Sequence, residues 1–507
     1  MPGPIARTPR RRDPIGDGRS ARSYADIMTG PHADRAILVH WHAMPHHWPI
    51  TSRQVMVGPF YDTVETAEGF RSINVPVGQY DLKPVIDRLP PHQRPEAIVV
   101  VVDSTKSSFP RNLAAIDAVK ALIMGDTHHL DAPLRTMLGY ALSEPFDLLV
   151  GNHLPQHLHF FHEARRGRIA WIPGVWVRQF RPPAPERRET PFLFVGQVGA
   201  YHPYRQHVIA AARAAGLPLE VRRASPEEAA FAYAGARLTL NCSLNGDLNQ
   251  RIFEVIGSAG ALVTDRLAPE ANLDRVLSPD VDCVVYDHAD DLIDKAARML
   301  ASPERTAELA RAAQATYSRL HTPAIKTRQL LAALFGGDDE VALPMWHDAR
   351  LGLPREADSA RLRARLLLYE HVQELHREAA RPIDIAIGRS VDRRAAVDLI
   401  DLPRLRLSWI GSTPATEALA ALERVGLADR LESAPAPRTR LALVTPGDLR
   451  DGAARDDVRA ADSVAIGIAD SAAPTGSGPS DTAQILESLG FERRNVPAEI
   501  SERARPT

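Results

Sequence analysis

Between Asn249 and Asp265 a cation and a carboxylate stand three residues apart, next to a loop rich in polar residues. Arg251, Glu254 and Ser258 fall at i, i+3 and i+7, while Ile252, Val255, Ile256 and Ala259 fall at i, i+3, i+4 and i+7. That spacing predicts an amphipathic helix over 249–258, ended by Gly260, with one apolar stripe and one charged face. An ionised carboxylate at a helix edge accepts two hydrogen bonds, and a guanidinium pairs with anions. The same spacing also fits an ordinary i, i+3 ion pair worth about 0.3 kcal/mol. Upstream, Gly196, Gly199 and Arg205 form a second group. Glycines let backbone N–H groups approach a pyrophosphate, and an arginine near a helix start adds a cation. A glycine turn with a surface arginine is the alternative. A third group is Asp126, His128 and His129, whose side chains suit a general base or a helix cap.

The elements that must position these groups alternate between strand and helix. Leu238 and Leu240 alternate with polar neighbours, NCSLNGDLN reads as a loop, and Ala261 to Thr264 reads as a buried strand closed by Asp265. Strand, polar loop, helix and strand make half of an α/β nucleotide-binding layout, in which ligands sit where strands end and helices begin. PFLFVGQVG, LEVRRAS and CVVYD supply further strands, with helices expected at 204–215, 249–258, 271–276 and 289–301 and a helical closure from Pro303 to Phe335. Asp290 and Asp291 suit the start of a helix, where the dipole favours acids. Earlier in the chain, AILVHW (36–41), AIVVVVD (97–103), AVKALIMGD (118–126), FDLLVGN (146–152) and RIAWIP (168–173) predict a parallel sheet covered on both faces. Polar groups end four of these strands: His40 and His42, Asp103 to Thr105, Asp126 to His129, and Asn152 with His153. All are expected to face one cleft. Eleven of the 19 histidines lie between His40 and His162, but their spacing matches no metal motif and no metal is expected.

The run N-x-R-x-F-E-x-x-x-x-x-G-A-x-x-x-D, from Asn249 to Asp265, resembles the C-terminal domain of CgeB-like glycosyltransferases, a branch of the GT-B nucleotide-sugar enzymes related to glycosyl transferase group 1. The likeness continues through Tyr286-Asp287-His288-Ala289-Asp290-Asp291-Leu292, the ERTAELARAAQ helix, and His321-Thr322 followed by Arg328. It covers roughly Pro191 to Gly336. It implies that Glu254 holds the ribose of a sugar nucleotide, with Asn249 and Arg251 lining the same cleft and Arg205 and Arg251 neutralising the departing phosphates. Retaining relatives carry a second acid eight residues before this glutamate; here that position is Gly246, with Asp247 adjacent, so the stereochemical course stays open. In an inverting reaction Asp126, His128 or His129 would be the base.

A chain of 507 residues suggests about three domains. The expected division is a basic tail over 1–30, a Rossmann-like acceptor-side domain over 31–185, a nucleotide-sugar domain over 186–336, a linker over 337–358 and a further α/β domain over 359–507. The proline-rich run Val177 to Thr190 suits the joint between the first two domains. A net charge of −2 gives no electrostatic case for a nucleic-acid partner. Two cysteines suggest a reducing compartment, and neither a membrane-spanning run nor a signal-peptide core is evident, so a cytoplasmic setting is expected. The arginines of the tail also suit contact with a membrane surface or an acceptor.

The last third begins with an amphipathic helix bearing Leu362, Leu366, Tyr369 and Val372 on one side. The strands IDIAIG (383–388), LRLSWIG (405–411), LALVTPG (441–447) and SVAIGIAD (463–470) follow, then ESLGFERRNVP. This succession resembles class I methyltransferases. It departs from them at Gly388, the one glycine where G-x-G is usual, and at Gly411-Ser412, where an acid is usual. S-adenosylmethionine is therefore not expected as a cofactor, and the domain reads as degenerate. The leading expectation is an α/β, GT-B enzyme that moves a sugar from a nucleotide-sugar donor to a glycan, protein or other hydroxyl acceptor without a cofactor. A methyl-transferring or bifunctional enzyme and a non-catalytic nucleotide-sugar-binding protein are the two rivals.

Overall fold

A computed structural model describes residues 32–46, 48–105, 107–128, 132–152, 155–164, 167–175, 182, 187–199, 201–268, 271–336, 359–388, 395, 398–399, 402–409, 431–432, 441–444, 463–466, 491–493 and 500–503. The expected tail 1–30, the linker 337–358, His129, His153 and Gly411-Ser412 lie outside them, as does most of Val177 to Thr190.

The first domain contains β1 (Ala36–Trp41), β2 (Arg53–Gly58), β3 (Val64–Thr66), β4 (Gly69–Asn74), β5 (Gly78–Asp81), α1 (Lys83–Asp87), β6 (Ala97–Val102), β7 (Ser108–Arg111), β8 (Val119–Met124), α2 (Pro133–Ser143), β9 (Leu148–Gly151), α3 (Leu158–Ala164) and β10 (Arg168–Trp171). Eight of these strands form one sheet in the order β10-β9-β8-β6-β1-β2-β4-β3, and β5 pairs with β7 apart from it. All neighbours are parallel except β3 with β4. The central strands are buried on both faces, Ile98 through Val102 completely, as their continuous β-branched runs require. The strands between Arg53 and Asp81 and at Ser108–Arg111 are not evident from hydrophobic runs, because most are short or half-exposed.

The second domain contains β11 (Thr190–Val195), α4 (Pro203–Ala214), β12 (Leu219–Arg222), α5 (Pro226–Gly235), β13 (Ala236–Leu240), α6 (Gln250–Gly257), β14 (Leu262–Asp265), β15 (Cys283–Tyr286), α7 (Ala289–Ala301), α8 (Pro303–Leu320) and α9 (Pro323–Phe335). Its parallel sheet runs β12-β11-β13-β14-β15. The helix expected over 271–276 is only a single 3-10 turn, Leu273–Arg275. Helix α6 ends before Ala259, which takes the left-handed conformation at φ 58° in place of the expected Gly260. Gly260 is needed for another reason: a Cβ there would meet Val255 Cγ1 at 2.8 Å. The last helix crosses back to the first domain, with Leu330, Leu331 and Leu334 in the core beneath Ile37, Val39 and Val99. The two Rossmann-like domains thus form the GT-B layout, with the carboxyl ends of their strands facing each other.

The third domain opens with α10 (Ser359–Glu378) and continues with β16 (Ile383–Ile387), β17 (Leu405–Trp409), β18 (Leu431–Glu432), β19 (Leu441–Val444), β20 (Ser463–Ile466), β21 (Phe491–Arg493) and β22 (Ile500–Arg503). Its sheet runs β18-β17-β16-β19-β20-β22-β21, with β22 antiparallel to both neighbours. The expected apolar side of α10 is buried, but so are Arg365, Glu370, Gln373 and His376. The helix lies against α2, α3 and α4, so it touches both of the other domains. Among the described residues no helix is long and apolar enough to cross a membrane.

Arg365 is the largest fully buried side chain described. Its guanidinium reaches Glu163 of the first domain at 2.8 Å and Asp398 of the third at 2.9 Å, and His159 lies 3.0 Å from Asp398. Removing one member of such a set leaves uncompensated buried charge. Arg365→Ala is expected to lower stability by about 3–5 kcal/mol and to loosen the third domain from the first. Urea denaturation together with limited proteolysis checks this; an unchanged midpoint would show that the two carboxylates are satisfied without it.

Candidate functional site

The second-domain half of the site stands where β11, β13 and β14 end and α4 and α6 begin. Arg251, in the first turn of α6, lies over the Phe194 ring with its guanidinium carbon 4.6 Å from the centroid. Its Nε donates to Val195 O and its Nη1 to Asn241 Oδ1, both at 2.8 Å. It thus reaches the strand ends, and it shares the Tyr233 hydroxyl with Glu254. Gly196 is where that guanidinium fits, since a Cβ there would strike it. The Gly196 N–H, expected to be available to a pyrophosphate, instead donates to Arg222 O at 3.0 Å. Gly199 stands in an open turn with nothing near its Cβ position.

Arg205 is buried over the same Phe194 ring, 5.4 Å from its centroid. Its Nη1 and Nη2 donate to Gln197 O at 2.8 Å and Cys242 O at 2.9 Å, and its Nε has no hydrogen-bond partner. Burial, then repulsion from Arg251, lowers its pKa. Glu254 lies one turn along α6, where it meets the hydroxyl of Tyr233 on α5. Burial raises its pKa, opposed by Arg251 and by Tyr233. Asn249 is the N-cap residue of α6, but its side chain caps nothing and its Oδ1 is buried without a partner. Five of the six predicted donor-side residues thus gather at these strand ends, and Gly199 marks the turn between β11 and α4.

The first domain contributes Asp126 and His128 beyond β8. His128 stands between two carboxylates, with Nδ1 3.0 Å from Asp126 Oδ1 and Nε2 3.5 Å from Asp247 Oδ2 of the second domain. Asn245 Nδ2 donates to His128 O at 2.7 Å across the same seam. Burial opposes the imidazolium, but Asp126 and Asp247 outweigh it and push its pKa up to about 9. The two carboxylates hold a proton on His128, which favours Asp126 over His128 as the expected base.

Two other expectations are corrected. His40 does not face the cleft; it is fully buried, bonded to Ser108 O and to Tyr80 Oη at 3.0 Å each, and burial lowers its pKa to about 3. Asn152 accepts from Val175 N at 3.1 Å and serves the backbone. The loop acid is also accounted for. Gly246 has φ 74°, and a Cβ there would meet Pro403 of the third domain at 2.7 Å and Ala268 N at 2.8 Å, so no carboxylate fits. Asp247 instead accepts from Leu244 N at 2.8 Å, holding the loop while it faces His128. Among the described residues no cluster of three or more histidine, cysteine or carboxylate side chains is placed to hold a metal ion.

Sequence reasoning misses three contributors. Tyr233 lies on α5, whose start Ser225-Pro226-Glu227-Glu228 is a capping box and could have signalled that helix. His376 and Arg404 come from the third domain, where no local pattern marks them. His376 Nδ1 stands 2.8 Å from Asn245 Oδ1, and Arg404 lies over Tyr204 with its guanidinium carbon 3.9 Å from the ring centroid.

Residues 178–332 match the family model described as "Glycosyl transferase-like". No curated protein matches the chain. Three solved structures similar to it are a sucrose-phosphate synthase from Thermosynechococcus elongatus, TarM of S. aureus and HepE of Anabaena in complex with UDP-glucose. The first shares 12% identity over 60% of this chain and 100% of that one, with a TM-score of 0.42. TarM shares 10% over 47% of this chain and 55% of its own, with a TM-score of 0.36. HepE shares 12% over 59% and 98%, with a TM-score of 0.40.

The raised pKa of His128 sets a pH dependence. A cation favoured by folding contributes stability fully present below the unfolded pKa of about 6.5 and lost as pH rises through about 9. Stability is expected to fall by up to about 3 kcal/mol across that window, and His128→Gln is expected to flatten the change. Denaturation midpoints of both proteins between pH 6 and 9.5 test this, and parallel curves would count against the carboxylate clamp.

Proposed function

We propose that the protein transfers a sugar from a nucleotide-sugar donor to a hydroxyl acceptor, as a GT-B glycosyltransferase of the CgeB-like type. The observation that carries this reading is the group formed by Glu254, Arg251 and Arg205 at the strand ends of a domain that is glycosyl transferase-like. A carboxylate that meets only a tyrosine hydroxyl and a neighbouring guanidinium keeps acceptor capacity for two vicinal ribose hydroxyls. Asn249 Oδ1, buried at the start of the same helix, is a further acceptor.

In the reaction the acceptor oxygen bonds to the anomeric carbon as the bond from that carbon to the diphosphate breaks. The electron pair leaves with the nucleoside diphosphate, and the acceptor proton passes to a base. Arg205 and Arg251 stabilise the charge that develops on the leaving group, and in a buried site they are worth more than in water. Asp126 is the proton acceptor in this reading, because His128 is held as a cation between Asp126 and Asp247 and orients the former. The acceptor is a glycan, a protein or another hydroxyl compound, and no metal or organic cofactor takes part.

For the third domain we infer a methyltransferase-type sheet put to structural use. Its strand order, with β22 inserted antiparallel beside β20, supports that lineage. A bifunctional enzyme would follow if the full chain bound S-adenosylmethionine.

A panel of UDP-, GDP- and ADP-sugars, read by release of the nucleoside diphosphate, tests the main reading. At least one donor is expected to turn over. Glu254→Gln is expected to weaken donor binding by roughly 10- to 100-fold, the worth of about 1.5–3 kcal/mol for hydrogen bonds to a charged group. Unchanged affinity in a folded variant would remove Glu254 from the site.

A further inference from the structure

The turn before β17 carries Arg404 from the third domain into the second. The turn is pinned on three sides: Leu405 N donates to Leu402 O at 3.3 Å, Arg404 O accepts from Ile383 N at 3.0 Å, and Pro403 packs on Gly246. The Arg404 side chain is buried over Tyr204, in the first turn of α4. Cys242, Asp265 and Tyr286, at or just beyond the ends of β13, β14 and β15, act on its charge.

A guanidinium placed there needs partners, and the protein gives it few. Nε and Nη1 of Arg404 are buried without a hydrogen bond. Nη2 has only long contacts, 3.4 Å to Leu244 O and 3.3 Å to His376 O, with His376 Nδ1 at 3.4 Å. Asp265, a nearby carboxylate, accepts from Ser243 through both of its oxygens, from the backbone N–H at 2.8 Å and from the hydroxyl. Asp247 is likewise occupied by its own loop and by His128. Arg205 Nε and Asn249 Oδ1 are left in the same condition close by. Burying a charged donor without an acceptor is costly, and such groups mark places where a ligand completes the set. Three guanidiniums thus stand around the starts of α4 and α6, the positive ends of both helices.

We propose that Arg404, supplied by the third domain, binds the diphosphate of the donor alongside Arg205 and Arg251, so that the donor site is shared between the second and third domains. This rests on the glycosyl-transfer reading above and adds a role for the appended domain within it. The third domain then contributes to donor binding without binding a methyl donor of its own.

The test uses the full chain and compares UDP, GDP and ADP with uridine, guanosine and adenosine, by calorimetry for the diphosphates and ligand-observed NMR for the nucleosides. Arg404→Gln is expected to weaken the preferred diphosphate by about tenfold or more, as loss of charge-assisted hydrogen bonds does, and to leave the matching nucleoside unchanged. Arg404→Lys, which keeps the charge but not the fork, is expected to fall between. Circular dichroism reports whether each variant is folded, and if the glutamine variant is not, the lysine variant decides. Wild-type diphosphate affinity in a folded variant, tighter binding, or equal loss of nucleoside and diphosphate would overturn the proposal. If Glu254→Gln loses the diphosphate while Arg404→Gln keeps it, only the role of Arg404 falls. If the wild type binds none of the three diphosphates, the glycosyl-transfer reading falls with it.

Discussion

The meeting of two sets of strand ends depends on one cation between two carboxylates. His128 belongs to the first domain and Asp247 to the second, and both are buried, so neither charge has water to rely on. A parallel sheet directs the loops after its strands toward its carboxyl edge, and the facing of two such edges concentrates polar groups in one seam. Several of those groups are paired across or along the seam: Asp126 and Asp247 with His128, His128 O and His376 with Asn245, and Ser243 with Asp265. The loop Ser243 to Asp247 is the hub of this pattern. Its conformation requires Gly246 at positive φ, and a Cβ there would meet Pro403 and Ala268 N.

The sheets of the first two domains and the charged helix α6 were legible because their signals are local. Runs such as Ile98 to Val102 are buried on both faces, and the 3.6-residue stripe of α6 recurs whatever surrounds it. Elements that depend on distant neighbours were not. Strand β4 has exposed and buried residues in a short span and reads as loop. Helix α5 is alanine-rich with no clear polar face, and only its capping box announces it. The histidines show the limit most plainly: His40, His128 and His157 look alike in sequence. One is neutral inside the core, one is a cation in a carboxylate clamp, and one links Thr127 to Tyr369 of the third domain at 2.8 and 2.9 Å. Their difference is made largely by residues far away in the chain, such as Ser108, Asp247 and Tyr369.

Donor-side residues were predicted as a set for a physical reason. Arg251 and Glu254 ride on one helix, and Gly196 and Arg205 flank one strand-to-helix turn, so sequence distance stands in for spatial distance. What the sequence could not show is that Arg251 and Glu254 are linked through a third group, the Tyr233 hydroxyl on α5, while the guanidinium also reaches Val195 O and Asn241 Oδ1. The ion pair that the spacing alone suggested would have neutralised both groups. Without a direct ion pair each keeps hydrogen-bonding capacity beyond the shared tyrosine, which a ligand can use.

The third domain is held unequally by its two neighbours. Toward the first domain it presents Arg365 to Glu163, Glu370 to Arg135 and Tyr369 to His157, and the first of these pairs is fully buried. Toward the second it offers the His376–Asn245 bond, the packing of Pro403 on Gly246 and the long contacts of Arg404. Separating a buried ion pair exposes charge that has lost its partner, whereas weak hydrogen bonds are replaced by water at little net cost. The third domain is therefore held more firmly by the first domain than by the second.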